Sequence, residues 1–216
     1  MKLTVILLTA IFAMSGCGGG SQMTQERQIT PSVGPPVRAP ISNVAAFMGD
    51  SITQLWNLSA YDSGPTINLG VSGQTTVQML ARFDAVTSSG AGVVVILGGI
   101  NDFDLLGQAA TNIDSIKAMA AQAKSAGIRV ILCSVLPESY LLMPAGMTLA
   151  DIEAFNQQLI ELAQANGYLY ADYFDVMVNA DGTQNQSLFR DGLHPNATGY
   201  AVMWEVITPL LTEDLR

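Results

Sequence analysis

Positive charge is scarce in this sequence: nine Lys and Arg stand against eighteen Asp and Glu, a formal net charge of −9. Past residue 40 the balance is six against seventeen, or −11. Nucleic acid is thereby excluded as a partner, because affinity for phosphates comes from clustered Lys and Arg, and here they are scattered. Cysteine is nearly absent, with only Cys17 and Cys133. Disulfide staples therefore do not hold the fold, and Cys133, which follows the apolar run 128–132, reads as a small buried hydrophobe rather than a nucleophile. Histidine occurs once, as His194, so any imidazole base must be that residue. No repeat of fixed period exists, which removes solenoids and propellers. No Gly-x-Ser-x-Gly occurs either; Gly70-Val71-Ser72-Gly73 is one residue short, so the nucleophile elbow of the α/β-hydrolases is missing. Asp102 and Asp104 pair two carboxylates without the histidine or further acids of a metal site, and no metal or cofactor is assigned.

What is present is enough for one core. A chain of 216 residues, 49% hydrophobic and 12% charged, fits a single globular domain and is cramped for two. Residues 1–16 read as a signal peptide, with Lys2 as the positive start and Leu3–Met14 as an apolar stretch too short to span a bilayer. Met14-Ser15-Gly16-Cys17 resembles a lipobox, which makes Cys17 the lipidated N-terminus of an exported, membrane-associated protein of the bacterial cell envelope; ordinary signal cleavage is the alternative. Residues 17–40, rich in Gly, Ser, Gln, Thr and Pro, read as a flexible tether, and the domain spans 41–216.

Within the domain, short apolar runs alternate with stretches of helical period, the pattern of a mostly parallel sheet covered by helices on both faces, an α/β architecture. Strands are predicted at Val44–Met48, Thr66–Leu69, Val93–Leu97, Arg129–Ser134 and Tyr168–Ala171. Helices are predicted at Thr111–Ser125, Leu149–Ala165 and about Ala197–Leu211, the first two stopped by Gly127 and Gly167 and the last capped by Asn196. Open parallel sheets place their sites beyond the carboxyl ends of the strands. The first strand ends there in Gly49-Asp50-Ser51, before residues that look helical. Ser51 is either a helix cap or a nucleophile whose developing charge the helix N-terminus favours. His194 lies in Asp191-Gly192-Leu193-His194-Pro195, where a carboxylate three residues back can hold Nδ1 and leave Nε2 to accept a proton. Asn101, after Gly98-Gly99-Ile100, and Gly70, at the end of the second strand, are candidate oxyanion donors, although such residues also simply make turns.

Taken together, Gly49-Asp50-Ser51, Gly70, Gly99-Ile100-Asn101-Asp102 and Asp191-Gly192-Leu193-His194 resemble the four ordered motifs of the SGNH hydrolases, the GDSL esterase and lipase family. The start of the series, with Trp56 following, looks like the small bacterial acyl esterases and the platelet-activating-factor acetylhydrolase subunits. The resemblance implies a flavodoxin-like three-layer α/β/α sandwich, no cofactor, and a serine esterase with Ser51 as nucleophile, His194 as general base and acid, and Asp191 as its orienting carboxylate. Its oxyanion hole would be the Ser51 and Gly70 backbones and the Asn101 side chain. The implied substrates are small-molecule or lipid esters of short to medium acyl chains, with acetylated carbohydrate as the alternative and a non-catalytic ligand-binding lipoprotein as the reading from another class. The apolar loop Pro137–Met147, with Tyr140, Leu141 and Met143, could line an acyl pocket, act as a lid, or pack on the core; Trp56 and Phe103 carry the same ambiguity.

Overall fold

The computed structural model describes residues 43–61, 64–106, 109–139, 142–143 and 147–212, with the backbone alone at 104–106 and 109–112. The leader and tether expected over 1–40, Cys17 with them, lie outside the described residues, as do Tyr140 and Leu141.

Five strands form one sheet: β1 (Ala45–Gly49), β2 (Thr66–Gly70), β3 (Val93–Leu97), β4 (Arg129–Cys133) and β5 (Leu169–Ala171). Their order is β2-β1-β3-β4-β5 and every pairing is parallel. A central parallel strand is covered on both faces, which is why β1 and β3 are continuous apolar runs, buried at every position. Eight α-helices are described: α1 (Ser51–Gln54), α2 (Thr76–Leu80), α3 (Asp84–Thr87), α4 (Ile100–Leu106), α5 (Ala109–Ser125), α6 (Leu149–Asn166), α7 (Tyr173–Val176) and α8 (Ala197–Thr212). Parallel crossovers are right-handed, so connections running toward β2 and toward β5 leave their helices on opposite faces. The result is the flavodoxin-like three-layer sandwich, with the order reversal between β1 and β3.

The two long helices are amphipathic in the expected way. Ile113, Ile116, Met119, Ala120 and Ala123 of α5 are buried, as are Ile152, Phe155, Leu159 and Ala163 of α6. A capping box between Thr148 and Asp151 starts α6, and Gly167, with φ +68°, ends it in the left-handed conformation that only glycine adopts at little cost. At the start of α8, Asn196 Oδ1 accepts from the backbone N–H groups of Thr198 (2.9 Å) and Gly199 (3.1 Å). Cys133 is a free, buried thiol at the end of β4, and burial pushes its pKa up to about 12, far from a reactive thiolate.

Register fixes what meets at the carboxyl end of the sheet. Gly49 of β1 lies opposite both Gly70 of β2 and Leu97 of β3. The segments that follow these three residues therefore leave the sheet at one level, side by side, and carry Ser51, the turn 71–74 and Asn101. Among the described residues no helix is long and apolar enough to cross a membrane, and no cluster of His, Cys, Asp and Glu could hold a metal ion.

Candidate active site

Ser51 is the first residue of α1, directly after β1. Asp50 caps that helix, its Oδ1 accepting from the Ile52 N–H at 2.9 Å. At the far side of the turn the Tyr200 hydroxyl of α8 donates to the Ile52 carbonyl at 2.7 Å. With its backbone pinned from both sides, Ser51 presents Oγ to His194 Nε2 at 3.0 Å. His194 Nδ1 in turn lies 2.8 Å from Asp191 Oδ2. The other carboxylate oxygen accepts from the backbone N–H of His194 (2.7 Å) and of Leu193 (3.1 Å), so the loop is wound around its own acid. Partial burial pushes the Asp191 carboxyl up, but these N–H groups and the imidazole outweigh it and hold its pKa down at about 2. An ionised Asp191 accepting at Oδ2 requires the proton on Nδ1, which leaves the Nε2 lone pair facing the serine hydroxyl. Arg190 Nε stands 3.4 Å from the same Oδ2, at the solvent edge.

Asn101 is the second residue of α4. Its Nδ2 donates to the Gln74 carbonyl at 2.9 Å and makes a long 3.4 Å contact with Asp50 Oδ2; the carbonyl can only accept, so it determines the amide orientation. Asp50 is fully buried, and desolvation, reinforced by the nearby Asp102 charge, raises its pKa to about 7 against the opposing Ile52 N–H. Asp102 is buried as well, but it serves structure. Its two oxygens accept from Thr76 N (3.2 and 2.9 Å) and one also from Thr76 Oγ1 (2.8 Å), tying α4 to the first turn of α2. Burial raises its pKa too.

The second expected backbone donor is not free. The Gly70 N–H is taken by Asn68 Oδ1 at 2.9 Å, and the glycine is there because a side chain would overlap the Gln54 backbone. The turn that follows offers an alternative. Val71 to Gln74 close a turn through Gln74 N–H to the Val71 carbonyl at 3.4 Å, with Gly73 at φ +75°. The N–H of Gly73, at the third position of such a turn, has no partner among the described residues, and neither has the N–H of Ser51. Ser72 N–H donates to Gln54 Oε1 at 2.9 Å, which holds the turn against α1. Reading the sequence missed Gly73 because Ser72-Gly73 there looked only like a failed nucleophile elbow; the signal was a glycine where a two-residue turn needs positive φ.

The expected substrate contacts fare differently. Trp56 is buried in an aromatic cluster, edge-on to Phe47 at 5.6 Å and stacked on Tyr200 at 5.5 Å, so it supports α1 from within the core and does not face a substrate. Phe103 is also core, buried edge-on against Phe155 at 5.6 Å. In each case nearness in sequence to a candidate site residue was taken for nearness of the side chain, whereas Phe103 on α4 and Trp56, two residues past α1, both turn inward. Met143 is half-buried and packs on the core, and Leu142 is exposed.

The profile of the GDSL-like Lipase/Acylhydrolase family matches residues 47–202. A protein from Bacteroides fragilis named as an acylhydrolase is 30% identical over 81% of this chain and 88% of its own, with a TM-score of 0.74. A GDSL-like lipase from Bacteroides thetaiotaomicron is 29% identical over 78% of this chain and 87% of its own, TM-score 0.71. A carbohydrate esterase of family 3 from Talaromyces cellulolyticus shares the fold, at 21% identity over 78% of this chain and 95% of its own, TM-score 0.60. No curated protein matches the chain in sequence. With the match covering most of the domain, the chain belongs to the GDSL-like lipase and acylhydrolase family, the SGNH hydrolases, and is a hydrolase of ester bonds.

Proposed function

We propose that this protein is a serine esterase that cleaves short- to medium-chain acyl esters through an acyl-Ser51 intermediate. The observation that carries the reading is the unbroken relay Ser51 Oγ, His194 Nε2, His194 Nδ1, Asp191 Oδ2, with links of 3.0 and 2.8 Å. Ser51 Oγ attacks the ester carbonyl carbon while Nε2 takes its proton, and the carbonyl oxygen becomes an oxyanion. The donors proposed for it are the N–H groups of Ser51 and Gly73 and the second Nδ2 hydrogen of Asn101, since the 3.4 Å contact to Asp50 is too long to hold that hydrogen firmly. Collapse expels the alkoxide, which takes the proton from His194. Water, deprotonated by the same nitrogen, then releases the acid and restores Ser51.

An acyl group as substrate is supported by the exposed apolar side chains. Five large ones are exposed among the described residues, and Leu55, Val71, Val77 and Leu142 belong to the segments that surround the relay. Acetylated carbohydrate is favoured by a different feature: a cavity of about 550 Å³ whose lining includes Ser139, Asn179, Thr183, Gln184 and Asn185. Gln184 there donates to the Gly192 carbonyl at 2.8 Å, inside the acid-base loop. The Met14–Cys17 sequence adds a location, anchored through Cys17 to a membrane of the cell envelope.

Hydrolysis of p-nitrophenyl esters of increasing chain length, run beside acetylated xylan, separates the two substrate classes. A preference for acetyl to octanoyl p-nitrophenyl esters is expected. Ser51→Ala should abolish turnover and labelling by a fluorophosphonate probe while leaving the circular dichroism spectrum intact; retained turnover removes the serine mechanism altogether.

A further inference from the structure

Arg82 follows α2 and is half-buried. Its Nη2 donates to the carbonyl of Gly49 at 3.0 Å, two residues before Ser51. Its Nε donates to Gln74 Oε1 at 2.5 Å, one residue after Gly73. The backbone carbonyl of that same Gln74 is the 2.9 Å acceptor for Asn101 Nδ2. Gly49 O also receives the Val71 N–H at 3.1 Å, at the start of the turn. One planar fork thus spans the nucleophile strand and the closing end of the turn, where Gly73 precedes the Gln74 that holds Asn101.

The placement is unfavourable as a stability device. Among the described residues no carboxylate lies within ion-pair distance of Arg82, and burial lowers its pKa from the usual guanidinium value. A partly desolvated cation spending its donors on neutral oxygens loses hydration with no opposite charge to offset it. What the fork supplies is geometry. Two N–H donors in fixed relation set two acceptors at a fixed separation, which the single point charge of a lysine does not do.

We infer that Arg82 is a positioning residue for ester hydrolysis, setting the Asn101 amide, one of the oxyanion donors, against Ser51. The inference rests on the oxyanion reading given above. Arg82 touches neither substrate nor reacting atoms; it holds Gln74, whose carbonyl carries the Asn101 amide, at a fixed separation from Gly49 of the nucleophile strand. Misplacement of a donor by about 1 Å costs up to about 100-fold in rate.

The test is a double-mutant cycle on p-nitrophenyl acetate, read as kcat and KM separately, with thermal melting alongside. Arg82→Ala should lower kcat about 10- to 100-fold with KM within about twofold. Introduced into Asn101→Ala, the same change should cost less than about threefold, because the donor it positions is already gone. Arg82→Lys, able to reach one acceptor, should fall between wild type and Arg82→Ala. If Arg82→Ala does not fold, Gln74→Ala decides, since it removes the Nε acceptor and keeps the carbonyl that holds Asn101; its kcat loss should likewise vanish in Asn101→Ala. Losses that multiply in the double variants, or unchanged kcat in Arg82→Ala, or in Gln74→Ala and Arg82→Lys together, overturn the positioning role. An Asn101→Ala variant with unchanged kcat overturns the oxyanion reading itself and the inference with it, an outcome distinct from failure of Arg82 alone.

Discussion

The turn that carries Ser51 and the loop that carries Asp191 and His194 meet at one hydrogen bond of 3.0 Å, yet they are held by opposite means. On the nucleophile side Asp50, Ser51 and Thr53 are buried, and the bonds that fix them come from far along the chain: Tyr200 from α8, Asn68 from β2, Arg82 from beyond α2. On the acid-base side the Asp191 side chain is 45% exposed, and the bonds that orient it span three residues or fewer. In the proposed mechanism Ser51 must be placed against two donors that belong to other elements, Gly73 and Asn101, and only tertiary packing does that. An acid-base pair needs one correct angle and access for the water of the second step, and a self-wound loop at the surface supplies both.

Breaking the surface half should cost rate without stability. Asp191→Asn keeps an acceptor for the Leu193 and His194 N–H groups but no longer enforces the proton on Nδ1; kcat should fall about 10³- to 10⁴-fold while the melting temperature barely moves. A large drop in melting temperature would show that the loop is as integral to the fold as the buried half. Breaking the buried half should do the converse. Trp56→Ala removes the aromatic centre behind α1 and should cost about 3–5 kcal/mol in urea unfolding, with KM for the folded enzyme unchanged. A raised KM would return Trp56 to the substrate site.

Smaller changes sharpen the boundary between the halves. Gly192 has φ +84°, and a methyl group there would stand 2.9 Å from Ser139 Cβ, so Gly192→Ala should lower kcat about tenfold, with a loss of stability of about 1–2 kcal/mol. The smallest effect is one of slope. The buried Asp50 keeps its proton up to about 7 in the folded state, whereas the ordinary value is 3.8. Between those values the folded state binds more protons than the unfolded, so stability falls as pH rises. Asp50→Asn, measured by melting temperature at pH 4.5, 6 and 8, should flatten that decline; an unchanged slope would mean that Asp50 ionises at its ordinary pKa.

Much of this was legible from periodicity. The helix stripe through Ile113, Met119 and Ala123 and the run Val93–Leu97 describe surfaces that face one way, and burial followed. Asp191 and His194 were legible together because their bond is local, decided by a three-residue spacing. Gly70 was misjudged because which of two glycines has a free N–H depends on Asn68, a side chain from the strand before the turn. Phe103 was misjudged because a helix of seven residues is too short to display a period that says which way a side chain turns, and Trp56 because it lies past the end of α1, where no period applies. Arg82 carried no sequence signal, since its two acceptors lie eight and thirty-three residues away.

The bond from Tyr200 to the Ile52 carbonyl has a further consequence, in the order of events rather than in geometry. Synthesis delivers Ser51 early, with strands and helices of the first half able to gather around it, but the hydroxyl that secures its turn and the imidazole that activates it arrive about 150 residues later. Until His194 has been synthesised, the chain holds Ser51 with no imidazole to take its proton, since it has no other histidine. A nascent chain that ends before residue 194 therefore lacks the base on which the proposed mechanism depends.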